Sequence, residues 1–178
     1  MNSITKPYKR FSVLNITQGF HSGHQAIDCV SSYGTPLVAP ENVLIEQIIT
    51  PTNLNEEGGL KNGYGLWMVG QETGNRYLYW HTLPILPVWG GDIIGRGKIV
   101  AYMGNSGNVF AGGVYVPLEE RNREPHQGTH LHEMVKTNGL FIDPLTIMDV
   151  STEPTYTVGE VLASAMKTLV KLAKLLTR

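Results

Sequence analysis

The chain has 178 residues, 42% hydrophobic and 16% charged, which is enough for one domain with a buried core and short for two domains and a linker. So many apolar residues and so few charges exclude a disordered chain, and Gly, Pro or charge interrupts every apolar stretch before it reaches bilayer length. The net charge is −1, unevenly placed: Lys167, Lys171, Lys174 and Arg178 against Glu160 leave the residues from Val158 onward at +3 and the rest at −4, which argues against a nucleic-acid partner.

Residues 1–17 read as an N-terminal segment. Lys6, Lys9 and Arg10 are followed by no apolar run, so no secretory signal is expected. His24-Gln25-Ala26-Ile27-Asp28 sets an imidazole and a carboxylate four apart, one turn apart in a helix or on one face of an extended segment; Gly23 and Ser31-Ser32-Tyr33-Gly34 around them favour a strand or turn. Cys29 has no second cysteine to pair with and reads as a small core residue. Leu37–Ile49 is a β-branched run broken at Pro40-Glu41-Asn42, and Thr50–Asn62 is a loop on composition.

Tyr64–Val69 and Tyr77–His81 read as a hairpin across Gln71–Asn75. Alternation along the second strand puts Tyr77, Tyr79 and His81 on one face and Leu78 and Trp80 on the other. Lys98–Met103 is a further strand and Asn108–Gln127 a second loop. In the strand-like run His130–Val135, a period of two sends His130 and His132 from one face and Leu131 from the other. The body therefore spans 18–150, followed over 151–178 by a linker with Pro154 and an amphipathic helix. Thr157-Val158-Gly159-Glu160 has capping-box spacing. Beyond it Leu162, Ala165, Met166, Leu169, Leu172, Ala173 and Leu176 recur on one face and the lysines on another.

A carboxylate with two imidazoles is a good zinc set, three protein ligands with one position open, as catalytic zinc requires. The plainer reading of His24 and Asp28 is a structural hydrogen bond, and His81 taken alone is an edge histidine.

The order His24-x-x-x-Asp28, Tyr79-x-His81, His130-x-His132 resembles the lysostaphin/LytM-type zinc endopeptidases. The likeness runs from about Gln18 to Pro144 and includes Gly34-Thr35-Pro36-Leu37-Val38-Ala39, Gly63-Tyr64-Gly65, Gly104-Asn105-Ser106-Gly107 and Asn138-Gly139-x-x-Ile142-Asp143-Pro144. It implies a mainly β fold of the barrel-sandwich-hybrid type, an antiparallel sheet flooring a groove, with the C-terminal α-helix added. It implies hydrolysis of peptide bonds in bacterial peptidoglycan, zinc held by His24, Asp28 and His132, and His81 and His130 as catalytic residues flanking a zinc-bound water.

The chain departs from the family pattern at several places. Ala26 and Ala101 stand for glycines, Thr129 for a proline, and Glu133-Met134 for Phe-Glu, which moves a carboxylate to the opposite strand face. Asn108–Gln127 is far longer than usual and is expected to wall the groove, with Tyr79, Tyr115, Arg121 and Arg123 as candidate substrate contacts. Two other readings compete with the hydrolase: a virion structural or assembly protein that keeps zinc for stability, and a non-enzymatic amidase activator, whose kind normally lacks the ligands. A wall substrate without a secretory signal suggests a phage protein, carried on the tail or released at lysis. The helix Val158–Arg178 then packs on its own body, docks on another virion subunit or lies on a membrane surface.

Overall fold

The structure, a computed structural model, describes residues 3–50 and 63–176. Fourteen strands are found among these residues. In chain order they are β1 (Ile4–Thr5), β2 (Ile16–Gln18), β3 (Ile27–Cys29), β4 (Pro36–Val38), β5 (Val43–Ile49), β6 (Tyr64–Gly70), β7 (Arg76–Thr82), β8 (Ile93–Ile94), β9 (Ile99–Tyr102), β10 (Phe110–Ala111), β11 (Val114–Tyr115), β12 (Leu131–Thr137), β13 (Leu140–Ile142) and β14 (Met148–Asp149). Two α-helices join them, α1 (Leu118–Arg123) and α2 (Val158–Leu176).

The main sheet runs β2-β3-β12-β7-β6-β5-β8, antiparallel at each pairing, and is not a closed barrel. One edge of β12 is shared end to end, β3 pairing with Leu131–Glu133 and β13 with Val135–Thr137. The pleat of β12 sorts its side chains: Leu131, Glu133 and Val135 are fully buried, while His132, Met134 and Lys136 leave the other face. The buried face packs on the two-stranded ladder β4–β9 through Leu37, Val100, Ala101 and Met103. Ile4, Tyr8 and Phe11 close this core from the N-terminal segment, and β1 pairs in parallel with β14. Cys29 lies in the same core.

The expected Leu37–Ile49 run divides into β4 and β5 at the Pro40-Glu41-Asn42 break. Glu41 is fully buried and accepts bonds from Tyr77 Oη (2.5 Å) and from the amides of Glu72 and Thr73, which fixes the β6–β7 turn. Most of the Thr50–Asn62 loop lies outside the described residues. Asn108–Gln127 differs from expectation. It holds a hairpin, β10–β11, turning on Gly112 and Gly113 at φ 57° and 82°, and then helix α1. A Gly-Gly pair between Phe-Ala and Val-Tyr is a hairpin signal that a purely compositional reading passes over. Glu119 and Glu120 in the first turn of α1 and Arg121 and Arg123 in its last suit the helix dipole.

Helix α2 begins as the sequence predicts. The Thr157 amide donates to Glu160 (2.7 Å) and the Glu160 amide to Thr157 Oγ1 (3.2 Å). It packs in cis: Lys171 donates to the carbonyl of Val88 (3.1 Å) and lies over the Trp89 ring, and Glu160 pairs with Lys98. The contact uses the flank with Ser164 and Lys171, so Leu162, Met166 and Leu169 stay exposed. Among the described residues no helix is long and apolar enough to cross a membrane.

Candidate active site

The outer face of the sheet floors a groove of about 1020 Å³. In the β3–β12 register Asp28 and His132 are direct partners, so both side chains rise from that floor, and His132 Nδ1 donates to Asp28 Oδ1 at 2.7 Å. His24 arrives from a tight turn closed by two backbone bonds with His21, just before β3. Its Nδ1–H donates to Gly19 O (3.0 Å), which turns Nε2 towards Asp28 Oδ2 at 3.4 Å. That Nε2 is buried and has no hydrogen-bond partner. One donor atom from each of His24, Asp28 and His132 lies within 4.8 Å of the other two.

This donor set fits a divalent zinc ion: two imidazoles and a carboxylate converge, and one buried imidazole nitrogen is left bare. One support fits as well, because the Gly19 carbonyl fixes the orientation and tautomer of the His24 ring, as a metal-ligating histidine requires.

His130 and His81 stand beside this group. His130 donates Nδ1–H to Gly128 O (2.9 Å), with Nε2 4.0 Å from Asp28 Oδ1. His81 donates Nδ1–H to Ser106 O (2.7 Å), and its ring centroid is 4.5 Å from that of His130. Simple alternation would put His81 on the core face with Tyr79, and the structure corrects this. Tyr64 pairs with Thr82 and Gly65 with Trp80, leaving His81 as the extra residue of a β-bulge at φ 62°. The bulge brings the ring to the groove.

Burial shapes the charges. It drives His81 down to about 3, with neighbouring His130 adding to the effect, and lowers His130 as well. Both rings are neutral near pH 7, with Nε2 as the free acceptor. Burial pushes Asp28 up, but the His132 hydrogen bond and the surrounding imidazoles outweigh it and hold the carboxylate below its usual range. Burial raises the Cys29 thiol, so it is no nucleophile at neutral pH.

The insertion does wall the groove, but not with the expected side chains. Phe110, the Ala111–Gly113 turn, His126 and Gln127 line it, together with Thr17 and Gln18 of β2. Tyr79 is corrected to a core residue, fully buried, its hydroxyl donating to Val38 O (3.1 Å). Arg121 is corrected likewise: it is 6% exposed and bonds to backbone carbonyls. Tyr115 packs edge-on against Phe110 at 5.9 Å, and it and Arg123 are exposed without lining the groove. Sequence reasoning missed Phe110, whose Gly-Gly hairpin was the available signal. It also missed Trp80, whose ring lies tilted 5.4 Å from that of His132, and the carbonyls of Gly19, Ser106 and Gly128, which leave no side-chain trace.

No protein-family model matches the sequence, and no curated protein matches it by sequence. Solved structures do match in fold. A peptidase M23 from Pseudomonas aeruginosa superposes with a TM-score of 0.58 at 21% identity, covering 83% of this chain and 51% of its own. Lysostaphin from Staphylococcus simulans gives 0.55 at 19% identity, covering 86% and 60%. A zinc containing peptidase from Vibrio cholerae gives 0.52 at 17%, covering 79% and 40%. The chain thus spans about half the length of the Pseudomonas protein it matches. The outward His-Asp-His cluster on an open antiparallel sheet and these superpositions together establish that the chain has the lysostaphin/LytM-type fold of the M23 peptidases.

Proposed function

We propose that the chain is a zinc-dependent endopeptidase that hydrolyses peptide bonds in bacterial peptidoglycan. The observation that carries this reading is the bare, buried Nε2 of His24 facing Asp28, with His132 completing the set within 4.8 Å. His24, Asp28 and His132 would hold the zinc, which would supply a Lewis acid to polarise a carbonyl and lower the pKa of water towards about 7. The chain's part is to hold that ion, orient a peptide and move protons. His81 and His130, each fixed at Nδ1 by a carbonyl, accept a proton at Nε2 and return it to the leaving amine. The groove, about 1020 Å³, has room for a peptide segment, and Gln18 and Phe110 are among its lining residues. The fold shared with lysostaphin and with a zinc containing peptidase supports the same reading.

Purified cell walls and metal analysis test it. The zinc-loaded chain releases peptides, a strong chelator abolishes release, and zinc restores it. His132→Ala loses the metal; His81→Ala keeps it and slows hydrolysis by about 10²–10⁴-fold. Undiminished release after verified metal removal refutes the proposal, and zinc binding without hydrolysis of any wall type returns the chain to a structural role. The proposal extends to a phage particle or to release at lysis, with α2 as the attachment to a virion subunit. The exposed Leu162, Met166 and Leu169 support that extension, and its absence from washed particles and from lysates removes it.

A further inference from the structure

Arg121 belongs to helix α1 of the insertion, yet it is buried, and among the described residues its guanidinium hydrogen-bonds main chain only. Nη1 donates to two carbonyls, Asn105 O and Gly107 O, while Nε has no partner; no ion pair of Arg121 occurs among the described residues. Taking a guanidinium out of water is costly, and charge-assisted bonds to carbonyls offset part of that cost. What the two bonds hold is therefore informative.

Between those carbonyls sits Ser106. Its own carbonyl accepts the Nδ1–H of His81 at 2.7 Å, and its hydroxyl donates to Thr82 O (2.8 Å) and accepts the Tyr64 amide (2.9 Å). The insertion grips this loop a second time, for the Asn105 carboxamide donates to Pro125 O (2.9 Å) and Gln127 O (3.2 Å). Gly63 packs close against the same loop: a Cβ there would fall 2.4 Å from the Ser106 carbonyl carbon. His81 itself sits at φ 62°, a conformation a non-glycine residue keeps only when its surroundings enforce it.

We propose that Arg121 is a positioning residue for His81. From the insertion it pins the carbonyls of Asn105 and Gly107, the residues before and after Ser106, so that the Ser106 carbonyl holds His81 as the Nδ1–H tautomer with Nε2 bare. The consequence for rate rests on the hydrolase reading; the clamp itself does not.

The test uses the full chain with Arg121→Met, which keeps the packed stem and removes the donors, and Arg121→Ala, which leaves a gap large enough to admit guanidinium. Long-range proton–nitrogen spectra of the imidazoles read the tautomer. The wild type shows His81 as a single Nδ1–H tautomer whose proton exchanges slowly. In Arg121→Met that signal broadens or shifts towards the Nε2–H form, while zinc content is unchanged. Hydrolysis by Arg121→Met falls about 10- to 100-fold in kcat, with KM unchanged within about twofold, as for a misplaced catalytic group. Millimolar guanidinium restores both tautomer and rate in Arg121→Ala. The clamp is overturned if His81 is the Nε2–H tautomer in the wild type, a result that needs no folded variant, or if Arg121→Met leaves tautomer and kcat unaltered. A wild type that cuts no wall while Arg121→Met still disturbs the His81 tautomer refutes the hydrolase reading and retains the clamp.

Discussion

Glu133 offers a stringent test of the packing beneath the site. It follows His132 on β12 but points the other way, opposite Ile27 and Tyr79, fully buried and with neither carboxyl oxygen bonded. Burial raises it from 4.5 to about 8, so it is protonated at neutral pH in the folded chain. The unfolded chain ionises it near 4.5, and between 4.5 and about 8 the folded state binds the extra proton. Stability therefore falls as pH rises through that window and is level outside it. At about 1.4 kcal/mol per pH unit, the gap amounts to about 5 kcal/mol. Glu133→Met, close in length and apolar, removes both this dependence and an unbonded polar group worth about 1–3 kcal/mol. Urea unfolding of both proteins at pH 5, 6.5 and 8 isolates the effect, because other titrating groups cancel in the difference. The variant's advantage is expected to be about 1–3 kcal/mol at pH 5 and to grow towards pH 8. A difference that does not change with pH refutes the argument, since it would mean that Glu133 keeps its ordinary ionisation in the fold.

His81 has the opposite sign. Its folded value of about 3 lies below the 6.5 of the unfolded chain, so the unfolded state takes up the extra proton and stability declines as pH drops from 6.5 towards 3. Metal-free His81→Gln is expected to unfold at lower pH than the wild type in an acid titration followed by circular dichroism; an unchanged midpoint counts against the desolvated imidazole. Tyr8 is 1% exposed and donates to Val30 O at 2.9 Å, so Tyr8→Ala is expected to cost about 3–5 kcal/mol in urea unfolding. A loss below about 1 kcal/mol would show that the N-terminal segment is dispensable to the core.

Residues close in sequence within one regular strand were readable before any coordinates. His130-x-His132 leaves one face because a strand has period two, and the same rule sent Glu133 inward. Thr157 and Glu160 announced the start of α2 through their spacing. The strand face expected for His81 was wrong for a definite reason: alternation assumes an unbroken pleat, and a bulge opposite the Tyr64–Gly65 step breaks it. Arg121 and Tyr79 failed otherwise. Both are polar side chains compatible with ligand contact, and each is instead spent on a carbonyl distant in sequence.

Local periodicity, capping chemistry and residue type are carried by neighbours in the chain, so the amino-acid order alone disclosed the longer strands and the terminal helix, and the resemblance named the candidate donor residues. The tertiary structure decided which donors meet. The β3–β12 register sets Asp28 against His132, the bulge delivers His81, and Ser106 is caught between the site and Arg121. Those contacts join residues more than a dozen positions apart, largely through backbone groups, and backbone groups are the same in every residue, so the pattern of side chains did not disclose them.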